Sequence, residues 1–169
     1  MKKQFLFIVL FICVFSLTAQ TTNTTTYYLI RHAEKVRTDK TNKNPNLTAK
    51  GHLRANNWSV VFENVNFDLI YATNYNRTKQ TAAPTATSKN LEILYYSPKE
   101  LYNSDFQEAT KGKTVLVVGH SNTTPQFVNA ILNEEKYQDI DDKNNANLYI
   151  VTVTDSQKSS TLIKVPYSK

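Results

Sequence analysis

The sequence predicts an α/β domain: a three-layer sandwich in which helices flank a mainly parallel central sheet, with an antiparallel hairpin at one edge. Three observations predict it. From Tyr27 onward, short apolar runs alternate with amphipathic stretches, as in repeated βα units. Charged or nucleophilic residues stand at the ends of three of those runs, where open α/β sheets gather their ligands. The last two runs follow one another across a short polar turn.

In chain order, Tyr27 to Ile30 is the first strand and ends at Arg31-His32, and Thr38 to Asn46 is a polar loop. Thr48 caps a helix whose buried side takes Leu53, Trp58, Val61, Phe62 and Val65; the last four fall at i, i+3, i+4 and i+7. Phe67 to Ala72 is the second strand, and Asn76 to about Ser88 a helix interrupted by Pro84. Leu91 to Tyr95 is the third strand, and Lys113 to Val118 a strongly apolar fourth that ends in Gly119-His120. Pro125 opens a helix capped by Thr124 and running to about Glu135. Leu148 to Val153 and Ser160 to Val165 form the closing hairpin.

The first nineteen residues stand outside the domain. Lys2 and Lys3 precede a thirteen-residue apolar run, Phe5 to Leu17, with Ser16, Thr18 and Ala19 supplying small residues at its end. That order predicts a secretory signal peptide over residues 1–19, since the run falls short of the ~20 residues of a spanning helix. The expected product is exported, periplasmic or secreted in a bacterium, with no stable membrane insertion after cleavage. Cys13, the only cysteine, leaves with the signal, so the mature chain has neither disulfides nor a thiolate metal site. Residues 20–26 read as a flexible leader, and 27–169 as one domain. Loss of Lys2 and Lys3 lowers the formal net charge from +6 to +4. That suits an anionic small molecule, and the scattered lysines exclude a nucleic-acid-binding stripe.

Arg31-His32, Arg77 and Gly119-His120 should therefore meet in one crevice. A phosphate dianion needs fixed positive charge and several donors, and arginine supplies both in a planar fork. A neutral imidazole is a competent nucleophile near pH 7. Neighbouring cations favour a neutral His32, while His120 is expected to stay cationic and stabilise the transferring group. His52, in the helix-start segment, has no strand end to bring it to the crevice.

The combination is specific. Leu29-Ile30-Arg31-His32-Ala33-Glu34 resembles the R-H-G signature of the histidine phosphatase superfamily, which includes the phosphoglycerate mutase-like enzymes. Leu47-Thr48-Ala49-Lys50-Gly51, followed by Arg54-Ala55, resembles that family's L-T-x-x-G helix start. Arg77-Thr78-Lys79-Gln80-Thr81-Ala82 resembles its R-x-x-Q-T-A motif, and Val115 to Ser121 its second-histidine strand. The resemblance implies a phosphoglycerate mutase-like fold of branch 1, with His32 as the phosphorylated residue. Arg31, Arg77 and His120 are then the catalytic phosphate-binding groups. Ala33 replaces the motif glycine, and Thr38 stands where mutase-like members place asparagine. The family's glutamate acid corresponds to Asn103, which cannot donate a proton. Glu34 and Asp105 are the candidate proton donors in its place, with Glu100 and Glu108 in the same loop as Asp105.

The implied function is that of a phosphatase, a phosphoric monoester hydrolase acting on a small phosphorylated molecule or glycan through a phosphohistidine. No cofactor and no metal are expected, because no H-E-x-x-H or carboxylate cluster appears. The rival from another class is a non-catalytic phosphate-binding or sensor domain. A phosphomutase and a phosphohistidine phosphatase are the enzyme alternatives, and the motifs specify no oligomeric state.

Overall fold

The computed structural model describes residues 23–167. In chain order it contains β1 (Thr25–Arg31), α1 (Ala49–Val61), β2 (Leu69–Ala72), α2 (Asn76–Lys89), β3 (Ile93–Tyr95) and α3 (Ser104–Thr110). These are followed by β4 (Thr114–Gly119), α4 (Thr123–Leu132), β5 (Asn147–Val153) and β6 (Lys158–Lys164). The strands make one sheet in the order β3-β2-β4-β1-β5-β6. From β3 to β1 the pairings are parallel, and β5 and β6 add the antiparallel hairpin beyond β1. This is the expected sandwich. The signal peptide over residues 1–19 and residues 20–22 of the leader lie outside the described residues. Thr25 and Thr26 pair with Val153 and Thr152, so the sheet begins two residues before Tyr27 and takes in the end of the leader. No helix among the described residues is long and apolar enough to cross a membrane.

Alternation along the strands builds two cores, because successive side chains leave a strand on opposite faces. Tyr27, Leu29, Val115 and Val117 face α3 and α4 and pack with Phe106, Phe127, Val128 and Ile131. Ile30, Leu116 and Val118 face α1 and α2 and pack with Trp58, Phe62, Ala82 and Ala86. A strand buried on both faces must be apolar throughout, which is why β4 reads as an unbroken run.

Several local expectations are corrected. Thr48 does cap α1, accepting from Gly51 N at 3.0 Å, but the helix ends at Val61. Its buried face is Gly51, Arg54, Ala55 and Trp58, while Leu53 and Val61 are exposed. The predicted spacing ran past the end of the helix: Phe62 is its C-cap, and Val65 packs from beyond it. Pro84 does not interrupt α2. Proline forfeits one helical hydrogen bond, and burial of the residues around it, Ala82, Thr85 and Ala86, holds the helix together. In α4, Pro125 is the third residue rather than the first, and Thr124 lies inside the helix. The N-cap is Asn122, without a side-chain cap bond, and the helix stops at Leu132 because Asn133 turns left-handed. The loop expected before β4 contains α3, too short at seven residues to declare itself by periodicity.

Candidate active site

Strand register assembles the site. In the parallel β1–β4 pair Arg31 lies opposite Gly119, so the next residue of each strand, His32 and His120, emerges side by side. His32 N donates to Gly119 O at 2.9 Å, and the two imidazole rings are 5.6 Å apart between centroids. Thr73, just past β2, donates its N–H to Val118 O, and that junction carries the chain into α2 with Arg77 in the first turn. The structure thus brings all four predicted pocket residues together at the carboxyl ends of β1, β2 and β4.

Each histidine is held in one tautomer. His32 Nδ1 lies 2.7 Å from Ala33 O. A carbonyl only accepts, so Nδ1 carries the proton and Nε2 keeps its lone pair. His120 Nε2 lies 2.9 Å from Thr73 Oγ1. Thr73 Oγ1 donates onward to Thr78 Oγ1, which donates to the carbonyls of Thr73 and Tyr75. The direction of that chain places the His120 proton on Nε2, and Nδ1 accepts from Arg77 Nη2 at 3.4 Å. Burial, then the charges of Arg31, Arg77 and His120, push the His32 imidazolium down to about 3. Burial, then Arg77, Lys35 and Arg31, lower that of His120 to about 4. His120 is therefore neutral here, not the cation expected, because desolvation and three cations act on it in the same direction.

Both arginines are prepared for an anion, in different ways. Arg31 is 2% exposed. Its Nη1 donates to the carbonyls of Asp141, Asp142 and Asn144, and its Nη2 to Asp142 Oδ1 at 2.8 Å. What remains for a ligand is the Nε edge rather than the whole fork. Arg77 lies over the Tyr75 ring at 4.5 Å and forms no ion pair among the described residues. The Nε–H groups of both arginines are buried without a hydrogen-bond partner. Orphaned buried donors are rare and costly, and an anion is the kind of partner they lack.

The proton-donor expectations fail. Glu34 accepts from Arg54 Nε at 2.9 and 3.1 Å and from Arg54 Nη2 at 2.8 Å. Its carboxyl sits below the ordinary value: burial opposes this, but the Arg54 hydrogen bonds and charge outweigh it. An ionised carboxylate locked to arginine is a strut, not an acid. The L-T-x-x-G helix start serves the same strut. Thr48 N and Oγ1 donate to Glu34 O at 2.9 and 3.2 Å, and a Cβ on Gly51 would meet that oxygen at 2.2 Å. Asp105 lines a cavity of about 350 Å³ with Tyr71, Tyr96, Glu100 and Asn103, and neither histidine is among its lining residues. Glu108 is exposed on α3. Asn103 is the N-cap of α3, its Oδ1 accepting from Phe106 N at 2.9 Å, which gives asparagine a local reason to be there. Thr38 and His52 are exposed.

Three features escape the sequence motifs: Tyr75, Lys35 and the 141–145 loop. That loop holds Arg31 through backbone carbonyls and bonds His32 O through Asn145 Nδ2 at 2.8 Å. Ala33 fits in full burial, its N–H donating to Thr81 Oγ1 at 2.9 Å.

The two neutral histidines make acid stability testable. Unfolded, each takes a proton near the ordinary 6.5; folded, they resist until about 4 and about 3. Their contribution is complete above ~6.5 and is lost as pH falls through that window, by up to ~1.4 kcal/mol per pH unit for each histidine. The urea midpoint should fall between pH 7.5 and 5.0, and fall less in a His32→Gln/His120→Gln double variant. Equal slopes would refute the assignment of neutral histidines.

The sequence model of the histidine phosphatase superfamily (branch 1) matches residues 27–97. No curated protein matches the sequence. Among solved structures, the chain is similar to the phosphoglycerate mutase of Bacillus anthracis, at 13% identity and a TM-score of 0.63 over 84% of this chain and 93% of that one. It is similar to a mutant phosphoserine phosphatase of Entamoeba histolytica in complex with phosphoserine, at 17% identity and 0.59 over 81% and 95%. The mycobacterial glucosyl-3-phosphoglycerate phosphatase gives 10% identity and 0.62 over 86% and 100%. At these identities the likeness is one of fold.

Proposed function

We propose that this chain, whose residues 27–97 match the sequence model of branch 1 of the histidine phosphatase superfamily, is a metal-independent phosphohydrolase. In this reading it cleaves a small phosphorylated molecule or glycan outside the cytoplasm through a phosphohistidine on His32. The observation that carries the reading is the fixed tautomer of His32, with Nδ1–H on Ala33 O and Nε2 unprotonated, in a pocket whose two arginines each keep an unpartnered Nε–H.

The arginine Nε–H groups donate to the non-bridging oxygens and orient the phosphorus toward His32 Nε2. Nε2 attacks, the bond to the leaving oxygen breaks, and water then displaces the phosphoryl group from nitrogen. A bound dianion offsets the arginine charges that keep His120 neutral. His120 then takes a proton on Nδ1 and becomes a third donor. Ester hydrolysis draws support, as fold-level analogy, from the phosphoserine and glucosyl-3-phosphoglycerate phosphatases of like fold. Export rests on the order of Lys2, Lys3 and the apolar run to Leu17.

The test is a screen of the purified chain from Gln20 onward over sugar phosphates, nucleotides, phosphopeptides and phosphohistidine, with EDTA present throughout. Turnover unaffected by EDTA is expected. Loss on chelation with recovery on added Mg²⁺ or Zn²⁺ would reject the mechanism, and phosphate binding without turnover on any substrate would leave the non-catalytic reading instead.

A further inference from the structure

We propose that Lys35 gives the leaving group its proton as the bond to phosphorus breaks, the task that Asn103, Glu34 and Asp105 do not perform in this fold. The proposal rests on the phosphohydrolase reading of the same pocket.

The backbone places the residue. Residues 34–36 run extended against residues 46–48: Thr48 N donates to Glu34 O and Val36 N to Asn46 O, both at 2.9 Å, with Lys35 paired to Leu47. Neighbouring side chains of an extended segment leave in opposite directions. Glu34 leaves toward Arg54, and Lys35 leaves away from it, on the side taken by Arg37, whose guanidinium shares Asp142 Oδ1 with Arg31; the charges of Arg77 and Arg31 act on it there. Lys35 is half-buried, and the ion pairs among the described residues engage Arg31, Arg37, Lys50 and Arg54 but not Lys35.

The arginines, His120 and Asp142 offer the leaving oxygen no proton. Arginines do not release theirs. The Nε2 proton of His120 is committed to Thr73, and the Nδ1 proton it gains in the complex is committed to a non-bridging phosphate oxygen. Asp142 is held ionised by hydrogen bonds from Arg37 and Arg31. Lys35 has a transferable proton, and burial followed by the charges of Arg77 and Arg37 holds its ammonium below the ordinary lysine value; Asp142 opposes this and Arg31 adds to it. A more acidic ammonium is a readier donor.

The step balances. His32 Nε2 forms its bond to phosphorus while the P–O bond breaks. The electron pair of that bond goes to the leaving oxygen, which takes a proton from Lys35 Nζ and departs as an alcohol. Lys35, now a neutral amine, accepts a proton from the water that attacks the phosphohistidine. The P–N electron pair returns to Nε2, and the ammonium is restored.

The experiment measures kcat/KM for p-nitrophenyl, phenyl and alkyl phosphates with wild type, Lys35→Met and Lys35→Arg. Wild type should depend weakly on leaving-group pKa. Lys35→Met should lose ~10²-fold or more on the alkyl ester, the scale of a positioned acid, and less than ~10-fold on p-nitrophenyl phosphate. Lys35→Arg keeps the charge without a transferable proton, so it should match Lys35→Met on the alkyl ester. The alkaline limb of the wild-type alkyl profile should be missing from both variants. An equal loss on every ester, which marks simple phosphate binding, would overturn the proposal, as would restoration of the alkyl rate by Lys35→Arg. If wild type hydrolyses p-nitrophenyl phosphate through His32 while the Lys35 variants change nothing, the proton donor falls and the phosphohydrolase stands. If wild type hydrolyses no ester, both fall.

Discussion

His32→Ala will lower kcat on any good substrate by ~10³-fold or more, the scale seen when a covalent nucleophile is deleted. The loss should appear in kcat rather than KM. Arg31 is held by the 141–144 carbonyls and Arg77 by the Tyr75 ring, and neither depends on the imidazole, so inorganic phosphate should still bind the variant. The Ala33 carbonyl that loses its Nδ1–H partner and the small space left by the ring should cost some stability without unfolding the protein, checked by the urea midpoint. A variant that binds phosphate, stays folded and turns over at a tenth of the wild-type rate would show that another group attacks phosphorus.

Arg77→Met should show the opposite pattern in stability. The Arg77 guanidinium is partly buried, has an unpartnered Nε–H, forms no ion pair among the described residues, and is held below its ordinary value by burial, with Arg31 adding to the effect. Such a group is a liability to the folded state until an anion arrives. Replacing it with an apolar side chain of similar length should raise or preserve the melting temperature while lowering kcat/KM by ~10²–10³-fold, the range for one preorganised donor. Arg77→Lys should not restore activity, because a point charge lacks the Nε edge and leaves His120 Nδ1 without its partner. Saturating phosphate should raise the melting temperature of wild type far more than that of Arg77→Met. Loss of stability together with activity would instead make Arg77 a structural residue.

How much of this was legible in the sequence follows from where the physical signal lies. β4 was readable because a strand buried on both faces is apolar at every position, and Gly119-His120 marks its end. Convergence of His32 and His120 followed from both closing parallel strands, and the register of Arg31 with Gly119 makes it exact to the residue. The role of Glu34 was misread because sequence proximity to His32 suggests chemistry, while extended geometry sends its side chain to Arg54. A signal for that existed. Arg54 shares a helix face with Gly51, Ala55 and Trp58, and a charge in a buried stripe needs a partner. Asn103 has a local use besides its place in the family motif, since an asparagine three residues before the backbone N–H it caps is an N-cap signature. The hold of the 141–144 loop on Arg31 left little signal to read, since three of its four bonds run to backbone carbonyls that any residues would supply and only Asp142 adds a side chain.

The central claim is a covalent phosphoryl group on His32 Nε2. Rapid mixing with a labelled aryl phosphate, quenching in alkali and mass spectrometry of the peptide containing residues 27–35 tests it directly. The account predicts an acid-labile, alkali-stable phosphoryl group on His32, formed within one turnover and absent from His32→Ala. An acid-stable, alkali-labile label on a carboxylate, or turnover with no label on His32 at any time point, would contradict it.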